Sequence, residues 1–350
     1  MASVYFKSLV CFLFDQTKDK AMTFIADLHC DLLSYLEQDV KRTPHDPAVR
    51  CSLSQLKAGF VKWQTLAIFT ETDSLSVKKG LSQLKIYQQL LRDFPLNMQP
   101  YQRFVSTIEE AAPLSVLIAF ENASGFCGEQ EPLKVGMARL NNLIETIAKP
   151  FYISLTWNWE NRFGGGALTQ IGLKEEGKLL LKELDQKQIA IDLSHTSDVL
   201  AYEIIDYIDQ QSLTLPLIAS HSNARTLQYV PRNLPTDIAK EIFKRKGLIG
   251  LNLYTPFLGE REESILEHLA FWLELGGEDG ICLGTDFFYE KDFTSTYQKR
   301  EKTFFSQFGD ASTYPTLLEF VKKHLKLSDQ QIDKWAYQNV TRFLASHLSL

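Results

Sequence analysis

The sequence predicts an α/β fold, a (β/α)8 TIM barrel. Three observations predict it. Eight short β-type apolar runs alternate with helical patterns along the 350 residues. Several of those runs are apolar almost throughout, as parallel strands covered on both faces must be. Metal-capable side chains recur just beyond the runs, where barrel enzymes carry their chemistry.

The eight runs are 24–28, 63–69, 116–120, 152–155, 189–193, 215–219, 248–253 and 281–283. Helical patterns separate them. Residues 174–186 set Leu179, Leu180, Leu181 and Leu184 among Lys and Glu, and 264–275 form another. Ser328 with Gln331 makes a capping box. The helix that it opens carries Ile332, Trp335, Val340 and Phe343 mostly on one face, and is expected to pack under the barrel. An open doubly wound sheet is the alternative, but no G-x-G-x-x-G follows an early strand. No Pro/Gly/Ser linker divides the chain. The expected organisation is an N-terminal extension, 1–22, and a single catalytic barrel, 23–350. Residues 4–14 are apolar apart from Lys7 and Ser8, yet lack a basic start and an A-x-A site, so they are expected to be a packing segment.

Apolar residues make up 45%, charged residues 23%, and the net charge is −6. That balance disfavours nucleic acid and anionic membrane surfaces as partners. No apolar run reaches the length of a membrane span. The five cysteines (Cys11, Cys30, Cys51, Cys127, Cys282) are odd in number and widely spaced. A disulfide scaffold or zinc finger is therefore not expected. The pattern suits a reducing compartment. A cytoplasmic location is expected, with the periplasm as the alternative.

Strand 1 ends in Asp27-Leu28-His29-Cys30-Asp31, strand 3 in Glu121, strand 5 in Ser194-His195, strand 6 in Ser220-His221-Ser222 and strand 8 in Gly284-Thr285-Asp286. His29 and Asp31 are two apart, so an extended chain points both to one side. Alone, that pair also fits a polar strand end in which Asp31 caps the next helix. With the other strand ends it reads as a metal site. Imidazole and carboxylate together suit zinc, and also manganese, iron or cobalt. The ligands His29, Asp31, Glu121, His195 and His221 exceed what one catalytic zinc needs. The surplus points to two metals with Glu121 as the bridge. Asp286 is the expected proton shuttle. His45, His268, His324 and His347 are expected to be structural. Gly164-Gly165-Gly166 reads as a flexible active-site loop. No cysteine or serine has the setting of a covalent nucleophile.

These residues resemble the renal (membrane) dipeptidase family, peptidase family M19, from about Ile25 to Phe343. The matching motifs are Asp27 to Asp31; Leu56 to Gly59; Ile118-Ala119-Phe120-Glu121; Ile191-Asp192-Leu193-Ser194-His195; Ser220-His221-Ser222-Asn223-Ala224-Arg225; Pro231-Arg232-Asn233-Leu234; Gly284-Thr285-Asp286-Phe287; and Gln338 to Phe343. The resemblance implies zinc at His29 and Asp31, a second zinc at His195 and His221, and Glu121 between them. It implies a dipeptidase in which a metal-bound hydroxide attacks the peptide bond and Asp286 is the general acid/base. It also implies that Arg232, with Tyr254, grips the substrate carboxylate, and that the chain forms a homodimer. Two departures stand out. The family's L-T-H reads Leu155-Thr156-Trp157, so Trp157 offers an indole where an imidazole holds the reaction's oxyanion, with Asn158 or Asn161 as stand-in donors. The usual D-F-D-G reads Asp286-Phe287-Phe288-Tyr289. A related amidohydrolase acting on an N-acyl amino acid or modified dipeptide is therefore the alternative. A non-catalytic ligand-binding barrel is a third reading, disfavoured because no metal ligand is lost.

Overall fold

The strands close on themselves with every neighbour parallel. In the computed structural model, which describes residues 23–101, 111–292 and 302–347, nine strands form one sheet. They are β1 (Ile25–Cys30), β2 (Val61–Phe69), β3 (Met98–Pro100), β4 (Leu114–Glu121), β5 (Tyr152–Ser154), β6 (Ala190–Asp192), β7 (Leu217–Ala219), β8 (Leu248–Leu251) and β9 (Ile281–Leu283). The order β2-β1-β9-β8-β7-β6-β5-β4, with β2 also pairing β4, closes an eight-stranded barrel. All eight expected runs are barrel strands. β3 was not expected. It pairs only with the first residues of β4, outside the ring, and three residues give too little periodicity to read. The expected N-terminal extension, 1–22, and Cys11 lie outside the described residues.

Helices follow the strands: α1 (Leu32–Gln38), α2 (Leu53–Ala58), α3 (Ser76–Asp93), α4 (Leu133–Thr146), α5 (Glu175–Lys187) and α6 (Asp198–Gln210). After them come α7 (Thr236–Lys244), α8 (Thr255–Leu258), α9 (Glu263–Glu274), α10 (Tyr314–Leu325), α11 (Asp329–Asp333) and α12 (Asn339–His347). The α5 leucines behave as the pattern requires, with Leu180, Leu181 and Leu184 buried and Leu179 left outside.

The expected C-terminal helix is not continuous. Ser328 and Gln331 cap each other reciprocally, and α11 then passes through a π-helical turn at Lys334–Gln338 into α12. The wider turn lets Trp335 Nε1 donate to Cys282 O and Asn339 Nδ2 to Ile281 O, both on β9. Val340, Phe343 and Leu344 join Ala26, Leu28, Trp63, Ala119 and Ile218 in one buried cluster. The C-terminal segment thus closes the barrel's N-terminal end and leaves the opposite end for chemistry. The Gly164–Gly166 run is also not the flexible loop expected. A Cβ on Gly166 would lie 1.9 Å from Trp157 O, and one on Gly165 2.3 Å from Ile171 O. Close packing, rather than freedom, requires glycine there.

His268 on α9 fixes the loop after β7. Its Nδ1 accepts from Ala224 N–H at 3.1 Å and its Nε2 faces Leu258 O at 2.9 Å. Both bonds need the neutral ring. Burial lowers its pKa from 6.5 to about 4. The unfolded chain therefore takes up a proton as pH falls through 6.5, while the folded chain resists until about 4. Stability is complete above that window and declines through it, by on the order of 3 kcal/mol. We expect His268→Gln to flatten the fall in denaturant midpoint between pH 6.5 and 4 relative to the parent; an unchanged slope would remove His268 from this role.

Candidate metal centre

β1 brings its ligands in through an irregularity. Asp27 pairs with Gln64 but Cys30 with Leu66, so three residues of β1 face two of β2. Such a bulge re-aims side chains next to active sites. Asp31 follows as the N-cap of α1, but its side chain makes no capping bond. That rules out the structural explanation for it. Glu121 ends β4, His195 and His221 follow β6 and β7, and Asp286 follows β9. All six are at least nine-tenths buried.

The imidazoles are locked by what lies behind them. Tyr152 OH donates to Leu28 O, so it accepts from His29 Nδ1 at 2.7 Å. Ser220 Oγ donates to Asp192 Oδ2, so it accepts from His221 Nδ1 at 2.7 Å. Asn158 Oδ1 accepts from His195 Nδ1 at 2.9 Å. These partners assign the tautomers: each Nδ1 carries the proton and each Nε2 presents a lone pair inward. His195 Nε2 lies 2.8 Å from Glu121 Oε1 and 3.0 Å from His221 Nε2. His29 Nε2 lies 3.3 Å from Glu121 Oε2.

The centre is thus a set of acceptors facing acceptors. His29 Nε2 and Asp31 Oδ1 are buried with no hydrogen-bond partner. His29, Asp31 and Glu121 offer ligand atoms within 4.8 Å of one another, and so do Glu121, His195 and His221. The two triads share Glu121. Burial pushes the Glu121 carboxyl up to about 8 and that of Asp286 up to about 6. Asp31 is raised too, by burial first and the Glu121 charge second. Burial lowers His195 and His221. The carboxylates are short of positive charge, and the buried imidazoles are kept neutral with their lone pairs available. Bound cations supply that charge and invert this pKa logic, so the donor set fits metal ions.

Asp286 has one oxygen held and one directed at the centre. Asn252 Nδ2 donates to its Oδ2 at 2.8 Å, while Oδ1 lies 3.8 Å from His29 Nε2. Both His195 (φ 68°) and Asp286 (φ 61°) adopt left-handed backbone that non-glycine residues avoid. Such strain costs on the order of 1–3 kcal/mol per residue and clusters at functional sites.

The pocket above the centre is lined by Asp31, Glu121, His195 and Asp286 below and by Phe69, Trp157, Tyr254, Phe257 and Phe288 around. Trp157 and Tyr254 both face this pocket. Arg232 is not on that lining. Its Nη1 donates to Ser222 Oγ at 3.0 Å and its Nη2 to His221 O at 2.9 Å, placing its charge behind the β7 loop. The stand-in donors also find other work. Asn158 orients His195, and Asn161 Nδ2 donates to Leu155 O and Asn122 Oδ1 within its own loop. His45 is exposed in its loop, and His324 and His347 bond to their own helices, as expected of structural histidines.

Sequence reasoning missed Tyr152, Ser220 and Asn252. Tyr152 lies inside a strand, and its hydroxyl meets His29 only because β5 faces β1 across the barrel. Ser220 stood in a quoted motif without a role.

Residues 19–347 match the family described as membrane dipeptidase, peptidase family M19. An uncharacterised protein of the pqqA 5′ region of Klebsiella pneumoniae is 30% identical over 199 residues, 52% of this chain and 68% of that protein. An uncharacterised dipeptidase of Schizosaccharomyces pombe is 27% identical over 146 residues, 39% of this chain and 34% of that one. Among solved structures, the dipeptidase AC, a metallopeptidase of family M19, superposes with a TM-score of 0.77 at 19% identity, covering 94% of this chain and 99% of that one. A metallopeptidase from Rhodobacter sphaeroides, solved with a phosphinate mimic of L-Ala-D-Ala, gives 0.75 at 20% identity, covering 93% and 100%. At those identities the structures establish the same barrel, and the family match over nearly the whole chain carries the rest: the chain belongs to the membrane dipeptidase family, peptidase family M19, a family of metallo-dipeptidases.

Proposed function

We propose that the protein is a two-zinc dipeptidase. The observation that carries this reading is the pair of donor triads sharing Glu121, with no donor among the atoms that face one another. His29 and Asp31 would hold one ion, His195 and His221 the other, and Glu121 both. Two such ions supply a water that ionises near neutral pH and polarise the scissile carbonyl. The chain's own residues do the rest. Asp286 takes a proton at its free Oδ1 and returns it to the leaving amine, while Asn252 holds Oδ2 and fixes the carboxylate plane. Arg232 draws the substrate's free carboxylate toward the β7 side by its charge. A bidentate clamp would require it to release Ser222 or His221 O. Trp157 favours the second reading, a related amidohydrolase acting on N-acyl amino acids, because its neutral indole replaces the family's imidazole. A panel of dipeptides and N-acyl amino acids separates the two.

Four buried free thiols among the described residues support our placing the protein in the cytoplasm; secretion of the native protein to the periplasm would contradict it. The homodimer is likewise our proposal, which sedimentation at the monomer mass would refute.

Elemental analysis of zinc-replete protein is expected to give two zinc per chain, with dipeptide hydrolysis lost on chelation. His221→Ala should keep about one and lose activity. A folded chain that carries no metal under zinc-replete conditions would sink the assignment. Asp286→Asn should lower kcat by on the order of 10²–10⁴ with metal content intact; a parental kcat would show that the proton moves elsewhere. For Arg232→Met we expect KM for dipeptides to rise at least about tenfold, with a much smaller change for analogues amidated at the C-terminus; equal changes for both would mean the charge does not act on the carboxylate.

A further inference from the structure

We propose that the pocket selects substrates with a bulky apolar side chain on each side of the scissile amide, one against each of two aromatic walls. The proposal rests on the dipeptidase reading and adds the side-chain class. The first wall is Phe69, at the end of β2, and Trp157, after β5, with ring centroids 5.2 Å apart at 68°. The second is Tyr254 and Phe288, beyond β8 and β9, with centroids 5.4 Å apart.

Barrel order places these walls on opposite sides. β4, carrying Glu121, lies between β2 and β5, and β8 stands four strands and β9 three strands away around the ring. An amide lying over Glu121 and within reach of Asp286 therefore has a ring pair on either hand. The first wall continues to His195, whose ring centroid is 6.1 Å from that of Trp157. In the second, Phe257 backs Tyr254 at 4.9 Å.

The polar groups of the lining are carboxylates, imidazole and amide at the floor, and no Lys or Arg among the described residues lies on it. An acidic side chain would meet ring faces and the floor carboxylates, with the Arg232 guanidinium held behind Phe257 by its bonds to Ser222 Oγ and His221 O. A basic one would give up hydration to rings alone. An apolar side chain loses nothing and removes ring surface from water. Trp157 and Phe288 are two of the positions where this chain departs from the motifs of the family it resembles. Both changes put a ring where an ionisable group was expected, one on each wall. They are specificity-determining residues in this reading.

The test uses zinc-loaded protein and two readouts. The first is kcat/KM for Leu-Leu and Phe-Phe against Ala-Ala, Gly-Gly, Lys-Lys and Asp-Asp. The second is calorimetric binding of the matching analogues whose amide CO–NH is replaced by CH2–NH, which cannot be cleaved. We expect an advantage of at least about tenfold for the bulky apolar pairs, carried by KM and repeated in binding. With mixed dipeptides, Trp157→Ala should erase the preference at one position and Phe288→Ala at the other. Trp157→Leu and Phe288→Leu stand in if either alanine variant loses zinc or its folded circular dichroism. Equal efficiency across side chains, or charged dipeptides matching apolar ones, overturns the proposal and leaves the dipeptidase reading intact. Apolar-selective binding without cleavage of any dipeptide upholds the proposal and overturns that reading. Absence of binding by every analogue overturns the proposal, as does a preference that survives in the variants.

Discussion

Everything at the top of this barrel depends on one constraint: three histidines are forced to keep their protons on Nδ1. Tyr152 and Ser220, each held by a bond of its own, accept from that nitrogen in His29 and His221, and Asn158 Oδ1 accepts from it in His195. The three Nε2 lone pairs have then nowhere to point but toward Glu121. A ring free to flip could relieve the crowding by donating to Glu121. These cannot, so the repulsion is built in and a cation relieves it. Metal affinity here is the release of a conflict that the fold has already set up.

Holding that arrangement requires stiff strand ends, and two buried aspartates provide them. Asp27 accepts from His29 N and from Thr285 N, joining β1 to the turn after β9. Its other oxygen accepts from Thr285 Oγ1 at 2.6 Å and from Tyr314 OH, which reaches in from α10. Asp192 repeats the device between β6 and β7, accepting from Ser194 N, Ser220 N, Ser154 Oγ and Ser220 Oγ. Each carboxylate pins the backbone that presents a metal ligand and the neighbouring turn that must stay in register with it. The left-handed backbone at His195 and Asp286 is sustained by this over-determination: Ala167 N donates to His195 O at 2.8 Å, and Asp286 N to His29 O at 3.2 Å. Asp27 and Asp192 are therefore one step removed from the donor triads and hold in place the backbone that presents them.

The strands were legible because parallel barrel strands are covered on both faces and must be apolar. The ligands were legible because the barrel delivers strand ends to one mouth. What escaped was whatever depends on facing rather than succession. Tyr152 reads as a strand aromatic until β5 is set across from β1. Arg232 reads as a carboxylate clamp until Ser222 and His221 O are seen to occupy its fork. The glycine run reads as slack until Trp157 O is found where a Cβ would be. The π-helical turn at 334–338 has no sequence mark, because it arises from the need of Trp335 and Asn339 to reach β9 together.

The replacement of an imidazole by Trp157 can be weighed against the same geometry. A histidine there would add a fourth titrating ring beside His195. The tryptophan instead packs on Phe69 and reaches toward His195 with a flat apolar face. His195 loses nothing by the exchange, since its orientation comes from Asn158, the very next residue. The backbone at 157 and 158 thus separates two jobs that one stretch of chain performs. One side chain positions a ligand, and the other shapes the space above it. The second can vary without disturbing the first, so this barrel can change what it admits while keeping the centre that acts on it.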